Sequence, residues 1–270
     1  MGHKGAVWQS RLSTDATLAA TGAADFFACV SFSLIFRVLN LTPYRRVWDT
    51  HTGECLHTLQ HKHIVRAVAF PMQNGPQILA TGGMENKLRI FDLTRSESSS
   101  TSSPTSPNGS PAPNGNGSAA TSYEIGPGVH GGPIKSIIWN QDYNILTTAC
   151  DDSKIRWWDL RSQHPCFEGT VDGAIRSCEL NMLSTVPNDP GILSVAAGKS
   201  AYFFDGSAPG RLLKRVDFSY EVASVAVNSQ TGRFVTGSAG DTWARVYDLD
   251  TNEELGKSHS DSSVLSATIT

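Results

Sequence analysis

The chain has 270 residues, with 22 Lys and Arg against 25 Asp and Glu and a net charge of −3. That length suits one large domain or two small ones. The charge balance excludes a polybasic nucleic-acid or membrane-surface protein in bulk and leaves only local patches open. The five cysteines, Cys29, Cys55, Cys150, Cys166 and Cys178, form no C-x-x-C pair, and no His cluster has zinc spacing. They read as buried thiols of a reducing compartment, with no metal and no cofactor expected. Met1–Ser10 lacks the apolar core of a signal peptide. The apolar run Phe26–Leu41 is short and broken by Arg37, so no membrane span is expected. Without secretory routing, the N-x-[ST] matches at Asn40, Asn108 and Asn116 carry no weight.

In chain order, Gly2-His3-Lys4-Gly5-Ala6-Val7-Trp8 opens a first unit, Leu18–Asp25 continues it and Val47-Trp48-Asp49 closes it. A second opens at His61–Phe70, passes through Ile78–Glu85 and ends at Leu88–Asp92. The third, His130–Asp159, has both its polar residues and its spacing intact. The fourth is degenerate: Ala174–Leu180, Ile192–Ala197 and Ala201–Asp205. The fifth runs Val222–Val227, Arg233–Gly237 and Ala244–Asp248. Runs such as Glu54–Leu59 and Arg211–Val216 suit an outer fourth strand. Recurring short β-rich runs closed by an aromatic-Asp pair are the pattern of WD repeats, each a four-stranded blade of a β-propeller. The expected fold is all-β, with about five blades' worth of sequence and both ends truncated.

Four of the five repeats also carry all or part of a polar set. In the third, Thr148 lies four residues before Asp152, Trp158 lies six after it and His130 is upstream. An Asp in the turn can accept from a His ring, the His can bond a Thr hydroxyl, and that hydroxyl can accept from the Trp indole N–H. The first repeat has His3, Thr21, Asp25 and Trp48. The second keeps His61 and Thr81, with Glu85 and Phe91, while the fifth keeps Asp241, with Gly237 and Tyr247. On paper these groups resemble hydrolase triads. Their recurrence by repeat, and the lack of a G-x-S-x-G elbow, make them structural.

Two segments break the pattern. From Asp152 to Trp158 is six residues, whereas Asp25 to Trp48 is twenty-three. The excess, 29–45, reads as a translated intron. Cys29-Val30-Ser31 is compatible with a GTGAGT donor, and Tyr44-Arg45 with a CAG acceptor. Transcript sequencing across this stretch decides between an intron and a genuine lipid- or partner-binding helix. The second break is rich in Ser, Pro, Asn and Gly and cannot bury enough apolar surface to order itself. Its Ser103-Pro104, Ser106-Pro107 and Ser110-Pro111 pairs are formal phosphorylation motifs in a tolerated insertion. The expected division is therefore 1–92 for two repeats, 93–128 for a disordered loop between the second and third blades, 129–256 for three more repeats, and 257–270 for an incomplete repeat or read-through tail. A fragmentary gene model with open strand edges is the expectation.

The wording of Gly2–Trp8, Ala23-Ala24-Asp25-Phe26, Val47-Trp48-Asp49 and His61-Lys62-His63-Ile64-Val65-Arg66 resembles the serine/threonine kinase receptor-associated protein family, also called unr-interacting proteins. The resemblance implies a seven-bladed propeller and a non-enzymatic scaffold. It implies protein partners in ribonucleoprotein assembly of the survival-of-motor-neuron type and in mRNA splicing, or in receptor signalling. RNA would be an indirect partner at most, and no small-molecule substrate is implied. The expected location is the cytoplasm, with the nucleus a second site. The translation initiation factor 3 subunit I family is the alternative.

Propeller partners dock where one residue per blade begins the innermost strand. That residue follows the apolar Val7, Val65, Ile134, Ile175 and Val222, which selects Trp8, Arg66, Lys135, Arg176 and Ala223. Three successive repeats present a cation, so a basic arc for an acidic peptide or RNA phosphate is the expected binding feature.

Overall fold

A computed structural model describes residues 5–15, 18–25, 27–30, 57–72, 77–96, 118–182, 191–238 and 240–259. Among them every regular element is a β-strand. The chain forms two compact units, Met1–Thr81 with Arg89–Glu124, and Gly82–Leu88 with Ile125–Thr270.

The first unit holds β1 (Val7–Leu12), β2 (Ala19–Ala23), β3 (Phe27–Val30) and β4 (His57–Gln60). It continues with β5 (Val65–Ala69), β6 (Ile78–Gly83), β7 (Leu88–Ser96) and β8 (Ser118–Ile125), though the β6–β7 turn and the end of β8 cluster with the second unit. The strand order is β1-β2-β3-β4-β8-β7-β6-β5. Two four-stranded meanders are thus joined through their outer strands, with His57 opposite Ser118 and Thr58 opposite Ala119 in a parallel pair. The pairing covers two edges that would otherwise expose unpaired amides. Leu59, Val65, Val68, Leu79 and Phe91 form the apolar core of this unit.

The second unit holds three separate four-stranded antiparallel sheets. One is β9 (Ile134–Trp139), β10 (Ile145–Cys150), β11 (Lys154–Asp159) and β12 (His164–Thr170). The next is β13 (Ile175–Asn181), β14 (Ile192–Ala197), β15 (Ser200–Asp205) and β16 (Leu212–Asp217). The last is β17 (Val222–Asn228), β18 (Arg233–Ser238), β19 (Trp243–Asp248) and β20 (Glu254–His259). The central strands are buried along almost their whole length, while β12 and β20 are largely solvent-facing. Apolar residues on consecutive positions of β10 and β14 follow from this, because both of their faces are covered. Trp157 of β11 packs edge-on against Phe204 of β15, and Phe203 of β15 against Phe234 of β18, so each sheet supplies core to the next. Ser136 donates to the Cys178 carbonyl at 2.9 Å, and Asn140 donates to the Gly206 carbonyl at 2.8 Å, tying the first of these sheets to the second.

Three expectations need correction. The Ser/Pro-rich segment does not lie between blades. β7 runs on to Ser96 and β8 begins at Ser118, so the segment interrupts the second meander between its third and outer strands. Its central part, 97–117, lies outside the described residues. The fifth sheet does not stop at 256. Trp243 opposite His259 and Ala244 opposite Ser258 extend β20 to His259, and 260–270 lie outside the described residues. Cys150 and Cys178 are buried free thiols, as expected, but Cys166 is exposed on the outer strand β12.

Most of the 29–45 segment also lies outside the described residues, but the register at its start is informative. Thr81 pairs with Arg89, Thr148 with Arg156 and Thr236 with Arg245. In the first meander the partner of Thr21 is Cys29. Omitting 29–45 from the sequence would bring Arg46 to that position and Trp48 to the place of Trp158.

Gly126 has φ +56, and an added Cβ would lie 2.3 Å from the ring of Trp158. Gly210 has φ +76, with a Cβ 2.3 Å from Phe167. The rings differ in freedom, because Trp158 is fully buried whereas Phe167 is exposed on an outer strand and can swing aside. Both alanine variants carry the left-handed backbone cost of about 1 kcal/mol. Gly126→Ala should add an overpacking cost of about 1–3 kcal/mol that Gly210→Ala largely escapes. Equal shifts of the urea midpoint in the two variants would contradict this packing.

Candidate functional site

The polar set of the third repeat is assembled as a buried chain. Trp158 Nε1–H donates to Thr148 Oγ1 at 2.9 Å, and His130 Nε2 lies 3.0 Å from the same oxygen. Thr148 is 0% exposed and His130 5%. The expected fourth link, from the His130 ring to Asp152, is not made. Asp152 accepts from the Gly131 amide at 3.0 Å, the Lys154 amide at 3.1 Å and Arg156 at 2.8 Å. These donors fill the carboxylate, and among the described residues His130 Nδ1 has no hydrogen-bond partner. Burial, assisted by the Arg156 charge, pushes the His130 pKa down to about 4, so the ring is neutral at pH 7. Burial opposes ionisation of Asp152, but the Arg156 and Gly131 hydrogen bonds outweigh it and hold the carboxyl below its ordinary value.

The second repeat has a smaller version. His61 Nε2 and Thr81 Oγ1 are 3.2 Å apart, and the ring lies 5.7 Å from that of Phe91. Burial, with the Arg89 charge, lowers the His61 pKa to about 3. In the first repeat Thr21 and Asp25 are described, while His3 and Trp48 lie outside the described residues. In the fifth, the hydroxyl is Thr236, not Gly237. The Tyr220 hydroxyl lies 2.7 Å from Thr236 Oγ1 and 2.9 Å from the Tyr247 hydroxyl, so a tyrosine takes the histidine's place. Arg245 reaches Asp241 at 2.6 Å and lies 4.2 Å over the Tyr220 ring. The fourth repeat places Val195 and Phe204 where the third has Thr148 and Trp158. Replacing all partners by packing removes the need for any of them.

This geometry fits a structural role. The Thr148 hydroxyl is sealed from solvent and spends itself on its own blade's Trp and His, so it is not a reachable nucleophile. Among the described residues no group of His, Cys, Asp and Glu has the arrangement of a metal site.

Four of the five residues expected at the binding face share one backbone feature. Val7 pairs with Ala23 and Gln9 with Gly22, leaving Trp8 as the extra residue of a β-bulge. Lys135 is skipped in the same way between Ile134 and Ser136, and Arg176 between Ile175 and Ser177. Ala223 is skipped between Val222 and Ser224. A bulge bends the strand and re-aims the extra side chain, while Ile134, Ile175 and Val222 before it stay in the core and Val7 is exposed. The basic arc, however, is partly neutralised. Lys135 pairs with Asp151 at 2.9 Å, and Arg176 with Glu221 at 3.6 Å. Arg66 instead lies 4.5 Å from the ring centre of Trp8, which is 52% exposed.

Comparison with known proteins places this architecture. The family model for the WD domain, G-beta repeat, matches residues 53–92 and 127–159. A chain of the crystal structure of the mitotic checkpoint complex matches with a TM-score of 0.69 at 15% identity, covering 100% of this chain and 70% of that one. That likeness is of fold alone. Residues 53–92 and 127–159 thus carry WD repeats, and the fold is all-β and of propeller type.

Within that class its likeness is to the serine-threonine kinase receptor-associated proteins. The chicken (Gallus gallus) protein of that name is 30% identical over 255 residues, spanning 94% of this chain and 58% of the relative. The chain therefore spans a little over half the length of that relative. The U5 small nuclear ribonucleoprotein 40 kDa protein of Dictyostelium discoideum is 26% identical over 190 residues, or 60% of this chain and 46% of that protein.

Proposed function

We propose that the protein is a non-enzymatic scaffold for protein partners in spliceosomal ribonucleoprotein assembly and mRNA splicing, of the survival-of-motor-neuron type. It would work in the cytoplasm with a second site in the nucleus, and RNA would reach it only through proteins. The observation that carries the reading is similarity to serine-threonine kinase receptor-associated proteins along 94% of the chain. The similarity to a U5 small nuclear ribonucleoprotein component favours the ribonucleoprotein setting over receptor signalling. The charges at the expected binding positions also favour protein over RNA. RNA affinity grows with the number of phosphates neutralised, and two of the three cations at these positions already hold carboxylates.

Affinity purification of the tagged chain after nuclease treatment tests the reading. Spliceosomal core proteins should be enriched and should survive the nuclease. Enrichment of initiation-factor subunits instead, or loss of all partners with the RNA, would overturn it.

A further inference from the structure

We infer that Trp8 and Arg66 form a recognition point for an acidic protein segment, in which Arg66 takes one carboxylate of an Asp or Glu side chain and Trp8 supports it. This inference deepens the scaffold reading and rests on it for the claim that the occupant is a protein.

Both residues belong to the first compact unit. β1 carries Trp8 out of the strand pairing at its bulge, and the indole is half exposed. β5 brings Arg66 beside it, directly after the buried Val65. Gln9 ties the two strands by accepting from the Val68 amide at 2.7 Å, so the Trp8–Arg66 spacing is held by the backbone as well as by the ring contact. Among the described residues Arg66 has no carboxylate partner. The equivalent cations of the next two repeats do, Lys135 with Asp151 and Arg176 with Glu221.

The contrast identifies the ligand chemistry. A guanidinium has five N–H donors in a planar fork that matches a carboxylate in two parallel hydrogen bonds. The indole fixes that plane by a cation–π contact, which lowers the entropy lost when an acid binds. The exposed Val7 and Leu12 of β1 add apolar surface for the neighbouring residues of a peptide. An RNA strand would need a succession of cations tracking its backbone, and the aligned cations are instead satisfied internally. A single stacked Arg with an apolar flank fits a short acidic segment better.

The test uses the full chain and a fluorescein-labelled peptide, Gly-Glu-Asp-Glu-Leu-Gly, read by anisotropy at low and physiological salt. A labelled uridine octamer runs in parallel. Arg66→Glu should weaken peptide binding at least tenfold. Arg66→Lys, which keeps the charge and is mild for folding, should weaken it several-fold because the fork is lost. Trp8→Ala should weaken it about fivefold, and Lys135→Glu should leave it within twofold. Circular dichroism melts confirm that each variant is folded. Wild-type affinity in folded Arg66→Lys and Trp8→Ala would overturn the inference. So would tighter binding of the uridine octamer with the same dependence on Arg66. Because the readout is a defined peptide, the inference fails or stands separately from the ribonucleoprotein reading, which the purification decides.

Discussion

Thr148→Val should cost about 2–4 kcal/mol of stability, a large effect for a near-isosteric change. The valine methyl fills the space of the hydroxyl, so packing is little altered. What is lost is the common partner of Trp158 Nε1–H and His130 Nε2, both buried. Each buried polar group left without a partner costs about 1–3 kcal/mol. Urea unfolding measures this as a lower midpoint with an unchanged slope. Thr236→Val should behave similarly in the fifth repeat, because the Tyr220 and Tyr247 hydroxyls lose their neighbour. Ser194→Ala makes a useful contrast. The Ser194 hydroxyl accepts from Asn181 Nδ2 at 2.9 Å and lies 3.2 and 3.3 Å from the Glu179 and Val225 carbonyls, but the Asn181 amide is only part-buried and also reaches the Glu179 carbonyl at 3.4 Å, so its removal should cost less. A Thr148→Val variant as stable as the wild type would mean that the chain of hydrogen bonds contributes nothing.

Acid should destabilise the protein well above the usual carboxylate range. Burial, with the charges of Arg156 and Arg89, lowers the His130 pKa to about 4 and that of His61 to about 3, from an ordinary 6.5. Above about pH 6.5 both rings are neutral in the folded and unfolded states, so stability is at its plateau. As the pH falls, the unfolded rings take up protons while the folded ones do not, and the unfolded state gains. The loss grows down to about pH 4 for His130 and about pH 3 for His61. Gaps of about 2.5 and 3.5 units correspond to about 3 kcal/mol for His130 and about 5 kcal/mol for His61. Asp152, held ionised in the folded state, adds a further loss only at lower pH. The window between pH 6.5 and 4.5 therefore reports the histidines. His130→Gln should flatten the stability–pH slope there, whatever it costs at neutral pH. An unchanged slope would show that the ring is not held neutral by burial.

Much of this fold was legible because burial writes itself onto the sequence. The central strands are covered on both faces, so Ile145–Cys150 and Ile192–Ala197 read as nearly continuous apolar runs with a turn signal after each. The bulge residues were legible for a related reason. Lys135 and Arg176 each follow an Ile that stays in the core, so counting one residue past it finds them, and the same count along the repeat finds Trp8 after the exposed Val7.

Other features do not follow from counting. The fifth repeat has one more residue between its hydroxyl and its acid than the third, and this hid Thr236 behind Gly237. Tyr220 lies two residues before β17, whereas His130 lies four before β9, so no fixed spacing connects them. The acids that neutralise Lys135 and Arg176 come from other turns, Asp151 after β10 and Glu221 ahead of β17. Pairing of that kind depends on three-dimensional proximity. β8 was missed because Ser118-Ala119-Ala120-Thr121-Ser122 has the composition of the loop it follows, and its place is set by β4 and β7.

The central claim is that the His, Thr and Trp sets hold the blades together and leave function to the surface. A double-mutant cycle on Thr148→Val and Trp158→Phe tests it most directly. Each single variant breaks the indole–hydroxyl bond, and the pair breaks it once. The account predicts that the double variant is more stable than the sum of the two losses by about 1 kcal/mol or more. Strict additivity would contradict it, because Thr148 and Trp158 would then act independently of the bond between them.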